Sequence, residues 1–418
     1  MKAAINAIAA ALVMAAVCPA AAETVLVRGG RVVTNTGAVL DKGDVLFTDS
    51  RIVAVGPSIA APAGARVIDA AGRWVTPGAI AAMSELGLSE ISGSGAANDA
   101  SLASPLISAA AEASRAFDPS ASAVAVTRIE GVTRAVIAPA ATGTIFSGIG
   151  ALVALNGAAD SVQRDRLFQV LELGETGAER AGGSRAALWP YLEAALKDAR
   201  EYPARYASGQ DGAVLREIDA RALKPFALGQ GVFLVRTERA ADIRELLRFK
   251  RANPNLKFVI HGGAEAWLVA DELAAAKVPV IVDPMVNLPE RMEKLAARLD
   301  NAALLERAGV RVIIAPSPGS VDGHQARLAF QLAGNAVANG LPWEAAFKAI
   351  SQTPAEVFGV GGELGSLAPG KTADVVIWDG DPLDVMSAPV ALFIAGVETP
   401  LVSRQTRLRD RYNPAARP

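Results

Sequence analysis

The chain has 418 residues, of which 51% are hydrophobic, and a formal charge of -2 from 41 basic and 43 acidic side chains. That length suits one large domain with an appendage, and that hydrophobic fraction excludes wholesale disorder. The near-balance of charge excludes a nucleic-acid groove, which needs a basic face, and no run of like charges forms a polybasic membrane patch.

Residues 1–22 carry one charge, Lys2, and the apolar stretch "AAINAIAAALVMAAV", followed by "AAA" before Glu23. This reads as a secretory signal cleaved after Ala22 rather than a membrane span, which needs about 20 apolar residues. It implies a periplasmic or secreted protein with no stable span after cleavage. Cys18, the single cysteine, leaves with the signal. The mature chain is then expected to have no disulfide, thiolate ligand or cysteine nucleophile.

Residues 23–77 read as short strands with one buried face, because "ETVLVRGGRVVT" and "DVLFTDSRIVAVGP" alternate apolar and polar residues between turn residues. "WVTPGAI" opens a different region. Less regular units, "AVAVTRIEGVTRAVIAP" and "GVFLVRTERAADIRELLRFK", precede a clean alternation. Strand "LKFVIHGG", helix "AEAWLVADELAAAK", strand "VPVIVDP", helical stretch "ERMEKLAARLDNAALLERAG", strand "VRVIIAPS" and helix "HQARLAFQLAGNAVANG" follow one another. Continuous apolar runs mark strands buried on both faces, and strand–helix succession implies parallel pairing with right-handed crossovers. An α/β fold with a TIM-like (β/α)8 barrel over 78–357 is expected. A Rossmann layout fits less well, since no G-x-G-x-x-G follows a strand. Residues 184–210 form an amphipathic helix outside the alternation, a lid or a packing insert. Residues 358–418 return to strand-and-turn patterning, so 23–77 and 358–418 are expected to build a small β-sandwich from both chain ends.

"RVIDAAGRWVTPGAI" resembles the lead-in to the first barrel strand of the amidohydrolase superfamily, and "LGSLAPGKTADVVIWDGDPL" resembles its return to the composite β-sandwich. "QLAGNAVANGLPWEAAFKAISQTPAEVFGV" is similar to the closing barrel helices of the imidazolonepropionase-like branch. The resemblance implies hydrolysis of carbon–nitrogen bonds, non-peptide or small amide, on a small-molecule substrate. It also implies a divalent metal, Zn or Mn, at the barrel mouth, where the ion polarises a carbonyl and activates water. The implied ligands are a His-x-His pair on the first strand, a histidine each on the fifth and sixth, an aspartate on the eighth and, in some members, a carboxylated lysine on the fourth.

This sequence places Met83 and Glu85 at the first-strand pair, Arg236 on the fifth strand, His261 on the sixth and Ser317 on the eighth. Only His261 matches. The chain has two histidines, His261 and His324, so no three-histidine zinc site can form. Glu85 and His261 with a further carboxylate (Asp283, Glu238 or Glu265) would make an oxygen-rich site suited to a harder ion. Arg236 opposes any cation, since a guanidinium lends no lone pair. It could instead pair with Glu85, bind a substrate carboxylate, or lie at the surface.

Several residues keep two readings. His261 is a catalytic group or a hydrogen-bonded core histidine, and His324 a general base or a helix cap. Asp283, just before Pro284, is catalytic or a turn former. Ser317 touches substrate or simply belongs to its loop. No serine-nucleophile elbow is present: "SGSGA" and "FSGIG" do not match G-x-S-x-G. Two functions follow from the residues: a divergent carbon–nitrogen hydrolase, or a metal-free barrel without catalysis that binds a small molecule or a partner protein. Homo-oligomerisation is left open.

Overall fold

The computed structural model describes residues 23–90, 98–102, 106–207, 209, 211–317 and 325–413. The segment read as a signal, 1–22, lies outside them. Chain entry is through five strands, β1 (Thr24–Val32), β2 (Leu40–Thr48), β3 (Arg51–Gly56), β4 (Arg66–Asp69) and β5 (Trp74–Pro77). They form part of a sheet that the C-terminal strands complete.

The barrel sheet takes its staves in chain order: β6 (Ala79–Ser84), β8 (Val132–Ile137), β10 (Phe146–Ala154), β11 (Val162–Glu172), β12 (Val232–Thr237), β13 (Lys257–Gly262), β14 (Val280–Val282) and β15 (Val312–Ile314). Two short strands, β7 (Ser101–Leu102) and β9 (Ala140–Ala141), pair with each other beside it. Seven staves are mutually parallel, but β10 runs antiparallel to both β8 and β11. The reason is the connection: only residues 138–145 separate β8 from β10, and a parallel crossover needs about a dozen residues. The third unit of the barrel is therefore a reversed strand without its helix. Between β15 and β6 the gap is bridged by the C-terminal helical segment, where the Ile80 N–H donates to the Ile350 carbonyl at 2.8 Å.

Around the staves lie α1 (Ser122–Arg128), α2 (Glu175–Arg180), α3 (Arg185–Arg200), α4 (Glu217–Ala227), α5 (Ala240–Ala252), α6 (Ala270–Ala276), α7 (Asn301–Arg307), α8 (Ala329–Ala338), α9 (Trp343–Ala349) and α10 (Gln352–Val357). The amphipathic segment from 184 is α3, started by Ser184, whose hydroxyl accepts from the Ala186 N–H. It buries Leu188, Leu192 and Leu196 in the layer between staves and helices, so it is a packing element rather than a lid. The stretch "ERMEKLAARLDNAALLERAG" is not one helix. It is a single 3-10 turn, Met292–Lys294, and then α7, because the Ala296 N–H is taken by the Glu265 carboxylate and Glu293 and Lys294 turn inward.

The continuous apolar runs have a direct cause. Strand side chains alternate faces, and both faces of each stave are covered. Ile80, Val136, Leu152, Phe168, Leu234, Val259, Ile281 and Ile313 fill the barrel. Ala81, Ala135, Phe233, Val235, Phe258, Ile260 and Val312 pack outward against the helices.

The chain ends with β16 (Val375–Trp378), β17 (Pro389–Ile394), β18 (Val397–Glu398) and α11 (Arg404–Tyr412). Strand β16 pairs with β5, giving the order β18-β17-β16-β5-β1-β2-β3 with β4 on β1. This sheet encloses a separate apolar cluster that includes Val27, Val45, Phe47, Val375 and Phe393. It is tied to the barrel by Arg134 of β8, whose Nη2 donates to Asp374 Oδ1 at 2.8 Å. No helix among the described residues is long and apolar enough to cross a membrane.

Candidate functional site at the barrel mouth

The parallel ladder of β11, β12 and β13 sets three polar residues side by side at the strand ends. Glu172 is the cross-strand partner of Arg236, and Arg236 of His261. Arg236 Nη1 donates to Glu172 Oε1 at 2.9 Å. Ser147 Oγ, from the reversed strand β10, donates to the same oxygen at 3.0 Å. Arg180 of α2 donates to Ser147 Oγ at 2.8 Å and stands 3.9 Å from Glu172 Oε1. Helix α2 can approach because residue 177 is glycine: a Cβ there would lie 2.2 Å from the Glu172 carbonyl oxygen.

Glu172, Arg180 and Arg236 border a cleft of about 570 Å³, also lined by Thr237, Glu238, Asp283, Met285, Val286, Glu293, Lys294 and Ser317. Glu238 follows β12. Its Oε2 accepts from the Ala264 N–H at 2.9 Å and its Oε1 lies 3.7 Å from Lys294 Nζ. Burial pushes its carboxyl up to about 7, against the pull of Lys294. Glu293 is raised too, again by burial first. Its Oε2 accepts from the Glu175 N–H at 2.9 Å and faces Arg185 Nη2 at 3.4 Å.

Arg236 does reach a carboxylate, but the partner is Glu172 and not Glu85. Strand β11 is the ladder neighbour of β12, whereas Glu85 follows β6, four places away in the sheet. Glu85 does not line the cleft and has no ion pair among the described residues. His261 is only 4% exposed and also lies off the cleft. Its Nε2 is 2.9 Å from the Pro316 carbonyl; since a carbonyl only accepts, Nε2 carries the proton. Burial and, next, the Arg236 charge hold its pKa down to about 3, so the ring is neutral. Among the described residues, Nδ1 is buried without a partner.

Asp283 borders the cleft with both oxygens engaged: Oδ1 accepts from the Met285 N–H and Oδ2 from the Ser317 N–H, each at 2.9 Å. It forms the turn after β14 and braces the loop after β15. Ser317 enters this brace through its backbone. Glu265 likewise accepts from the Ala240 and Ala296 N–H groups. His324 lies outside the described residues.

Sequence reasoning missed Glu172, Ser147, Arg180, Glu293 and Lys294. A strand-like run ending on a carboxylate, "LFQVLELG", was the available signal for Glu172. The reversed strand hid it, since without a third strand–helix unit the fourth stave could not be counted.

A divalent ion does not fit these groups. Met83 sits in the inner core. His261 is buried off the cleft, and Arg236 is a cation in the ladder position beside it. Among the described residues no three His, Cys, Asp or Glu side chains converge on one point. The expected Glu85–His261 pairing for Zn or Mn is therefore not assembled there.

Residues 259–403 match the model of the amidohydrolase family. Over 402 residues the chain is 26% identical to amidohydrolase tasK of Hapsidospora irregularis; the match covers 85% of this chain but 39% of that protein. Over 387 residues it is 29% identical to imidazolonepropionase of Acidiphilium cryptum (strain JF-5), covering 84% of this chain and 90% of that one. The fold superposes on the crystal structure of an amidohydrolase from Thermotoga maritima MSB8 with a TM-score of 0.80 at 23% identity, over 91% of this chain and all (100%) of that one. With the barrel, the second sheet built from both chain ends and the closing helices, these likenesses support the amidohydrolase superfamily, and its imidazolonepropionase-like branch, as the family this chain resembles.

Proposed function

We propose that this protein hydrolyses a carbon–nitrogen bond of a small amide or cyclic amide, with Glu238 as the proton-transfer group. Likeness to the superfamily supports the reaction class. The observation that carries the site reading is the position of Glu238 at the edge of the cleft, 3.7 Å from Lys294, where burial raises its carboxyl above the ordinary carboxylate range. A group poised near neutrality serves both as base and as acid.

Superfamily members usually place a divalent ion here, but the donor set does not suit one, so no step is routed through it. Glu238 accepts a proton from water as the water oxygen bonds to the substrate carbonyl carbon. Arg236 and Lys294, which line the same cleft, offset the charge that develops on the carbonyl oxygen. When the tetrahedral adduct collapses, the carbon–nitrogen bond breaks and Glu238 returns the proton to the leaving nitrogen. A carboxylic acid and an amine are released.

The test is hydrolysis of a panel of N-acyl amino acids, small amides and cyclic imides. Glu238→Gln should lower kcat by about 10²–10⁴-fold without unfolding the chain. Activity undiminished by that change would remove Glu238 from the mechanism.

A second reading, a barrel that binds a small molecule without catalysis, is favoured by the Glu172–Arg236 pair, which fills strand-end positions that ligands would otherwise occupy. Saturable binding with no turnover across the panel would select it. The N-terminal 22 residues support export to the periplasm or beyond. N-terminal sequencing of the protein from its host should begin at Glu23.

A further inference from the structure

We propose that the C-terminal helix α11 rests on an anionic lipid surface, through Arg404, Arg407 and Arg411 with Leu408 and Tyr412 beside them. No residue of α11 lines the cleft, so this surface is independent of the hydrolase reading.

Helix α11 is short, and its start is fixed. Ser403 is buried; its Oγ accepts from the Thr406 N–H at 3.2 Å, and its own N–H donates to Thr406 Oγ1 at 2.9 Å. Such reciprocal bonds satisfy donors that a first turn otherwise leaves free. The helix lies beside α1. Every residue of α11 except Thr406 is exposed, so the side that carries Thr406 is the covered one. Helix positions three and four apart are neighbours. Arg407, Arg411, Arg404, Leu408 and Tyr412 therefore follow one another around the half of the helix turned away from Thr406.

The chain as a whole has a formal charge of -2, yet this half of α11 holds arginines and no acid. Asp410, the one acid of the helix, lies outside it and is taken by Arg409, whose Nε donates to Asp410 Oδ1 at 2.8 Å. Among the described residues Arg404, Arg407 and Arg411 have no ion pair. Arg411 stands over the Tyr412 ring, 5.4 Å from its centroid. Other residues separate the arginines in the sequence, so no run of charge shows there; the helix brings them together.

This stripe gains nothing within the chain. Like charges at these spacings destabilise a helix, and a cation in the first turn, Arg404, opposes the helix dipole. An external anion offsets both costs. Leu408 and Tyr412, 37% and 64% exposed, flank the stripe. An acidic polypeptide matches the arginines only. A lipid surface matches both: its phosphates pair with the guanidiniums, and the apolar pair sinks below the headgroups.

The experiment is co-sedimentation of the full chain with vesicles of phosphatidylglycerol and phosphatidylethanolamine, and with neutral vesicles of phosphatidylcholine. Binding to the anionic vesicles should be at least about tenfold tighter and should weaken as salt rises. The triple change Arg404→Gln, Arg407→Gln and Arg411→Gln should abolish that preference. Leu408→Ser with Tyr412→Ser should weaken binding to the anionic vesicles several-fold. Residues 1–22 are shared by every variant, so the comparison isolates α11. Circular dichroism checks each fold; if the triple variant does not fold, Arg407→Gln alone should lower the preference about fivefold.

Equal binding to both vesicle types, a preference untouched by the arginine changes, or anionic binding untouched by the Leu408 and Tyr412 changes overturns the proposal. Binding of polyglutamate with no binding to vesicles would overturn it in favour of an acidic polypeptide.

Discussion

Arg236 and Glu172 face each other across neighbouring barrel strands, and the guanidinium donates to the carboxylate at 2.9 Å. Both side chains are mostly shielded from water, with exposures of 14% and 7%. Removing one partner of such a pair leaves an uncompensated charge, which costs more than the pair itself contributes. Arg236→Met should destabilise the chain by about 3 kcal/mol. The double variant Glu172→Gln with Arg236→Met should cost less than the sum of the single changes, with a coupling of about 1–3 kcal/mol. Urea unfolding of the four proteins measures this. Strict additivity would mean that the two residues do not act as a pair.

Glu238 makes stability depend on pH in a stated direction. Its carboxyl is raised from 4.5 to about 7 in the folded chain, so between those values the native state holds more protons than the unfolded one. Stability therefore falls as pH rises through this window and is level above it. The expected loss is on the order of 3 kcal/mol. Glu238→Gln, which cannot ionise, should be the more stable protein at pH above 7 and should lack this slope. A wild-type profile that matches the variant between the two values would contradict the assignment.

His261 acts in the opposite sense. Its pKa is lowered from 6.5 to about 3, so the unfolded chain binds the extra proton first. The stability contributed by the neutral ring is complete above the unfolded value and is lost as pH falls toward the folded one. His261→Gln can still offer an N–H to the Pro316 carbonyl and does not titrate. It should flatten the acid limb of the stability curve below about pH 6. Because the Glu238 window overlaps, the comparison is made in a Glu238→Gln background. An unchanged acid limb would show that His261 is not the group responsible.

How much of this was legible beforehand differs between scaffold and site. The strands from β12 onward could be read because both faces of each stave are covered. "FVIHGG" and "VIVDP" consequently lack polar alternation, and the helices between them have one apolar face. The reversed strand β10 could not be read. Its segment "FSGIGALVA" is as apolar as a parallel stave, and only the shortness of the preceding connection betrays its direction. That one reversal displaced Glu172 from consideration and left Glu85 as the obvious partner for Arg236. Asp283 before Pro284 was readable as a turn, because an aspartate there accepts from the amide two residues on. Its second bond, to the Ser317 amide of the next strand's loop, depends on three-dimensional proximity that no local pattern encodes.

The barrel and the two-ended sheet are joined by a buried ion pair. Arg134 is 1% and Asp374 7% exposed, and Asp374 Oδ1 also accepts from the Ala395 N–H. Among the described residues, Arg134 Nε and Nη1 have no further partner. Asp374→Ala should therefore cost about 3–5 kcal/mol, more than any surface carboxylate change. Replacing both residues by apolar ones, Arg134→Met with Asp374→Leu, should recover part of that loss. Thermal unfolding of the single and double variants reads the difference; no recovery would show that Asp374 matters for its backbone bond instead.

The account turns on a guanidinium–carboxylate pair organising the barrel mouth in place of a divalent ion. Elemental analysis of the chain, purified without chelator and without a metal affinity step, tests this most directly when paired with activity before and after chelation. The account predicts no stoichiometric zinc, manganese or other divalent ion, and stability and turnover unaffected by chelator. One tightly held ion per chain, with activity lost on its removal and regained on its return, would contradict it.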